Sequence, residues 1–102
     1  MNLIKAYYLL AIVADHYGIT SKDLESGDHR QSIAKPRRTA MYLCGELCGM
    51  DARKIGSLFN QSISSVWIAQ RSIRKEILTN EELRRQVQEI ESRVERLWGK
   101  LA

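Results

Sequence analysis

Apolar side chains recur every three or four positions along nearly all of this 102-residue chain, and a single proline interrupts them. No stretch alternates apolar and polar with the two-residue period of a half-buried strand. A chain so patterned is confined to helices packed on helices, so the expected fold class is all-α. The punctuation divides it into about five helices and one more at the C-terminus. The first runs from Leu3 to Tyr17, and Gly18 stops it. The second is short, capped by Thr20 or Ser21 and anchored by Leu24. A polar loop from Ser26 to Lys35 precedes Pro36, whose missing N–H costs nothing in a first turn, so the third helix is expected to start there and end at Gly49. Asp51 caps a fourth helix ending near Leu58 or Phe59. Ser62 caps a fifth that reaches about Leu78. Asn80 restarts a last helix, with Glu81 and Glu82 at its positive end.

Composition narrows the function. There are 16 Lys and Arg against 12 Asp and Glu, and the pI is near 9.3. Residues 1–79 hold 11 basic and 7 acidic side chains, while residues 80–102 hold five of each. The basic surplus therefore belongs to the body, a modest footprint for a polyanion. No apolar run approaches the roughly 20 residues that cross a bilayer. Leu3 to Ala14 is apolar apart from Lys5, but it lacks the basic flank and the small-residue cleavage site of a secretory signal. No G-x-x-x-x-G-K-[ST] loop occurs, so no nucleotide is expected. Cys44 and Cys48 lie one helical turn apart with only His16 and His29 to join them, too few for a metal site, and read as buried small residues in a reducing, cytoplasmic setting. No cofactor, metal or catalytic constellation is expected. With Met1 at its start and a full helix at its end, the chain is expected to be a whole product.

A short capped helix, a three- or four-residue turn and a longer helix make a helix-turn-helix, here Asp51–Leu58 followed by Ser62–Leu78. On a wheel of the longer helix, Ile63, Val66, Ala69, Ile73 and Ile77 gather on the core side. Ser64, Ile68, Arg71 and Lys75 form a row opposite, with Trp67 on the flank. Hydroxyls and a guanidinium suit base edges or phosphates, and an isoleucine suits thymine methyls. An ordinary amphipathic surface helix is the competing account. A second cationic cluster, Arg30, Lys35, Arg37 and Arg38 with His29 and Gln31 beside it, brackets a helix N-terminus, where backbone N–H groups already favour phosphate. A merely solvated charge run is its alternative.

The stretch Ser32-Ile33-x-x-Pro36-Arg37-x-x-Ala40-Met41-Tyr42-Leu43-x-x-Glu46-Leu47 resembles the signature of the C-terminal DNA-binding domain of the bacterial replication initiator DnaA. Val13-Ala14-x-x-Tyr17-Gly18-Ile19 with Asp23-Leu24 is similar to its first two helices, Ile55-Gly56 with Phe59 to the start of its helix-turn-helix, and Val66, Ala69, Arg71 and Ile73 to its recognition helix. The resemblance covers residues 3–78 and implies duplex DNA binding without the family's ATPase. By this resemblance Arg37 matches a basic-segment contact and Arg38 stands where the family has Gln. The arginine that the family places in the minor groove falls near His29 and Arg30. The family reads its box with Asp-His-Thr-Thr, where this chain has Ser62, Ile63, Ser64 and Ser65. The scaffold is kept and the specificity rewritten, or lost.

The candidate DNA-binding residues are thus Arg30, Gln31, Lys35, Arg37, Arg38, Ser62, Ser64, Ser65, Ile68, Arg71 and Lys75. Two domains are expected, a body over residues 1–79 and a helical arm over 80–102. In the arm, Leu83, Val87, Ile90, Val94, Leu97 and Leu101 are spaced 4, 3, 4, 3, 4, an a/d seam compatible with a parallel homodimer or another helical partner. Folding back onto the body is the alternative. Two functions compete: a regulator of replication or transcription that binds duplex DNA, and a protein-interaction module that keeps the scaffold and binds an initiator or another helix.

Overall fold

Local capping chemistry sets most of the helix boundaries. The computed structural model describes residues 2–101. Its order is α1 (Asn2–Tyr17), α2 (Ser21–Glu25), α3 (Gln31–Cys48), α4 (Ala52–Phe59), α5 (Ile63–Thr79) and α6 (Glu81–Leu101). Gly18 and Gly49 close α1 and α3 in the left-handed region, with φ of 69° and 62°. Thr20 and Asp23 form a reciprocal capping box at the start of α2. The Asn80 side-chain oxygen accepts from the Leu83 N–H at 3.0 Å, so α6 restarts directly after α5.

The start of α3 differs from the sequence expectation. The helix begins at Gln31, five residues before the proline, and Pro36 lies inside it. Two interactions nucleate that earlier turn. Asp28 Oδ1 accepts the Arg30 N–H at 2.9 Å, and the Arg30 carbonyl accepts from Ile33 and Ala34 at 2.9 and 2.7 Å. Ile33 is buried, which fixes that turn on the core. The proline is therefore carried within a helix that begins independently of it.

α3 is the central element, packed on α1, α2, α4 and α5. Leu9, Leu10, Val13, Leu24, Leu43, Ile55, Phe59, Val66 and Ile73 form one core with Cys44 and Cys48 among them. α6 closes that core rather than leaving it. Leu83, Val87, Ile90 and Val94 are buried within the chain, and Leu97 packs half-buried beside them. The Leu101 side chain lies outside the described residues. α6 rests on α1 and α5. Arg93 reaches Asp15 at 2.7 Å, Tyr17 donates to Gln86 at 2.9 Å, and Lys5 sits over the Trp98 ring. The seam expected to face a second helix is thus turned inward. An intramolecular contact satisfies the same apolar period without the translational entropy that association costs. The joint at Thr79-Asn80 is real, but the helix beyond it shares the core of the body.

The apolar run of α1 is buried only on one side, and Leu3, Ile4, Tyr7 and Tyr8 stay exposed.

Replacing the fully buried Ile90 by Ala should cost about 2–5 kcal/mol in chemical denaturation, the cost of a core cavity. Deleting residues 80–102 should abolish the cooperative transition, whereas a detachable arm would leave it unchanged.

Candidate nucleic-acid interface

The turn between α4 and α5 is built from three local devices. Asp51 accepts the Lys54 N–H at 2.9 Å and starts α4. Asn60 takes a left-handed conformation (φ 56°), and the Gln61 N–H donates to the Gly56 carbonyl at 2.9 Å. Ser62 then caps α5, accepting from the Ser65 N–H at 3.1 Å and donating to the Ser65 hydroxyl at 3.0 Å. Gly56 is required sterically, because a Cβ there would stand 2.5 Å from the Gln61 carbonyl oxygen.

α5 presents two opposed faces. Val66, Ala69 and Ile73 are buried, and Ile63 and Ile77 are half-buried beside them. Ser64, Ile68, Arg71 and Lys75 are exposed on the other side. Ile68 is 65% exposed and Trp67 57%, unusual for large apolar groups in the middle of a helix. An open cleft beside this face is lined by Ser65, Ile68 and Gln61 on one wall, and by His29, Ala34 and Arg38 on the other. Ile68 thus brings the row on α5 to the edge of a cleft whose far wall is the α2–α3 loop and the first two turns of α3.

The basic segment does not act as one cluster. Arg37 is turned inward and is 5% exposed. Its Nε donates to the Leu24 carbonyl at 3.1 Å and a terminal nitrogen to the Asp28 carbonyl at 2.8 Å. Two of its five N–H donors are thus held by α2 and the α2–α3 loop, and what remains of its surface lines the same cleft as Arg38. Lys35 Nζ donates to Glu76 at 2.8 Å, tying α3 to α5, and is likewise engaged. Gln31 is exposed but borders a depression with Tyr17, Asn80 and Gln86, facing α6 rather than the cleft. Arg30 is exposed and forked onto the Asp28 carboxylate at 2.7 to 3.1 Å. Among the described residues Arg38, Arg71 and Lys75 form no ion pair, and the same holds for Arg53 and Lys54 at the start of α4. The Ser62 hydroxyl is used in the cap.

His29 and Gln61 line the cleft without standing among the candidate contacts. Gln61 had one available signal, its place beside the Ser62 cap. Two carboxylates balance the cations. Hydrogen bonding from Arg30 holds the Asp28 carboxyl below its ordinary range, and hydrogen bonding from Lys35 does the same for Glu76, against a smaller opposing effect of burial.

Comparison with known proteins gives a consistent result. The family model described as "Bacterial dnaA protein helix-turn-helix" matches residues 7–73. The chain is 37% identical over 82 residues to the chromosomal replication initiator protein DnaA of Caldanaerobacter subterraneus subsp. tengcongensis, covering 80% of this chain and 18% of that protein. It is 30% identical over 91 residues to the chromosomal replication initiator protein DnaA of Mycobacteroides abscessus, covering 89% of this chain and 18% of that protein. The chain thus spans about a fifth of the length of these relatives.

Gly56→Ala should destabilise the fold by about 1–3 kcal/mol in thermal or denaturant melts, because the clash is with backbone. Gly45→Ala should be far milder, since the nearest atom there is the end of the Gln70 side chain. The Glu76 carboxyl, depressed in the folded state, contributes stability that is present above its unfolded pKa of about 4.3 and lost as pH falls through the folded value. Glu76→Gln should therefore be less stable near neutrality, by at most about 1 kcal/mol for so accessible a pair. The two proteins should converge in denaturant titrations once the pH falls below the depressed folded value.

Proposed function

From a chain that belongs to the bacterial DnaA helix-turn-helix family, we propose a protein that binds double-stranded DNA with α5 in the major groove. The observation that carries this reading is the exposed row Ser64–Ile68–Arg71–Lys75 running beside a cleft walled by His29 and Arg38. A helix meant only for solvent has no use for an isoleucine and a tryptophan standing clear of the core. In a groove, Ile68 meets thymine methyls, the Ser64 hydroxyl meets base edges, and Arg71 and Lys75 meet phosphates. Arg38 holds the backbone at the edge of the cleft. Arg30 joins it by exchanging the Asp28 carboxylate for a phosphate of the same charge. Arg37 serves by fixing the loop that carries His29 and Arg30.

The proposed specificity is not that of the family's usual box. Ser62 and Ser65 bond to each other at the head of α5, and Ile63 is half-buried where the family has a histidine. A regulator of replication or transcription, acting in the cytoplasm on the chromosome, is the role such binding suits. The buried α6 seam favours one recognition helix per bound protein over paired half-sites. A partner that binds α6 without DNA, the alternative reading, would have to use the outer, polar face of that helix. No described helix is long and apolar enough to cross a membrane.

Selection from a randomised duplex library tests the reading. Arg71→Ala and Lys75→Ala should weaken binding to all sequences alike and lower the salt slope by about 0.9 per lost phosphate contact. Ser64→Ala and Ile68→Ala should instead shift the selected sequence, with a discrimination loss of about 1–3 kcal/mol at the affected base pair. Failure of the wild-type chain to retain any duplex in a salt-sensitive manner ends the DNA reading.

A further inference from the structure

A largely apolar opening lies away from the DNA-facing cleft and shares no lining residue with it. α1 and α4 share no extended packing. Between them runs a groove of about 670 Å³. Leu3 and Tyr7 form its α1 wall, Met50 and Leu58 its other apolar surface, and Arg53 and Lys54 its charged rim. Leu3 and Tyr7 are each about half exposed, at 52% and 53%, and Ile4 and Tyr8 widen the apolar band beside them. A band of four large apolar side chains on two adjacent turns is more than scattered surface residues explain.

Charge decides the occupant. No Asp or Glu lines the groove. Arg53 and Lys54 are exposed and form no ion pair among the described residues. A partner must therefore offer apolar side chains to the walls and carboxylates to the rim. An amphipathic helix with acidic flanks does both from one element, its i, i+3/i+4 and i+7 side chains entering the groove. Nucleic acid has the charge but no such apolar ridge. A second copy of this chain lacks the matching element. Its acid-bearing helix α6 has its apolar seam in its own core, and α2 is a five-residue turn with Leu24 buried. We propose that the α1–α4 groove is a docking site for an acidic amphipathic helix of another protein, bound independently of DNA.

The test is a display selection of random 16-residue peptides on the full chain, followed by affinity measurements on synthetic copies of the enriched sequences. Enriched peptides should carry apolar residues at helical spacing flanked by Asp or Glu. Their affinity should fall at least tenfold with Arg53→Glu/Lys54→Glu, and also with Tyr7→Glu or the milder Tyr7→Ala. All three positions are exposed, and thermal melts establish that the variants remain folded. Raising salt should weaken binding without abolishing it, since the walls contribute the remainder. Failure to enrich any peptide overturns the proposal. So does enrichment of peptides without acidic flanks, or binding indifferent to Tyr7. Sedimentation of the chain alone reads the other occupant: a dimer dissolved by Tyr7→Glu would assign the groove to a second copy and overturn the acidic partner. A chain that retained no duplex would still take the peptide, so the two readings fail separately.

Discussion

The guanidinium of Arg37 is almost wholly withdrawn from solvent, donates to the carbonyls of Leu24 and Asp28, and has the Asp28 carboxylate near enough to favour its charge without forming an ion pair. A buried cation is costly unless its donors are matched, and hydrogen bonds to a charged group are the stronger kind, about 1.5–3 kcal/mol each. These two bonds join the end of α2 and the middle of the loop to the second turn of α3. The loop is thereby held against the helix, and His29 stands across the cleft from Ser65 and Ile68. Asp28 is held at both its carbonyl and its carboxylate, the latter by Arg30. One cation taken out of the surface thus sets where the neighbouring ones stand.

The cations of the body divide by what surrounds them. Lys35 and Arg74 link α3 to α5 through Glu76 and Glu46, and Arg93 links α6 to α1 through Asp15. These pairs bridge helices, and each is exposed enough to contribute at most about 1 kcal/mol. Their larger consequence is to neutralise charge away from the α5 face. Arg38, Arg71 and Lys75 keep theirs beside the cleft, and Arg53 and Lys54 keep theirs at the start of α4.

What the sequence made legible was whatever is decided locally. Gly18, Thr20, Gly49, Asp51 and Ser62 each end or begin a helix through atoms within a few residues, and all five do so in the structure. The opposed faces of α5 were legible for the same reason, since a 3.6-residue period needs no knowledge of the partner. The start of α3 was not. Pro36 gives a strong local signal, but Asp28 and the burial of Ile33 decide the outcome from outside the helix. The fates of the basic residues were hidden more deeply. Lys35 depends on Glu76, 41 positions away, and Arg37 on carbonyls 9 and 13 positions away, so neither charge nor spacing reports where their donors point. The α6 seam shows the same limit, because an a/d period specifies a face and says nothing of whose surface meets it. The open side of α1 went unread because an apolar run looks alike whether one side of it is covered or both.

The closure of α6 over its own body has a consequence for dosage. A chain whose α6 seam is engaged within itself crosses no subunit equilibrium through that seam before it engages a target. On the DNA-binding reading, occupancy of an isolated site then climbs hyperbolically with the amount of protein. Any steeper response has to be written into the nucleic acid, as neighbouring sites, or supplied by a molecule that bridges two copies.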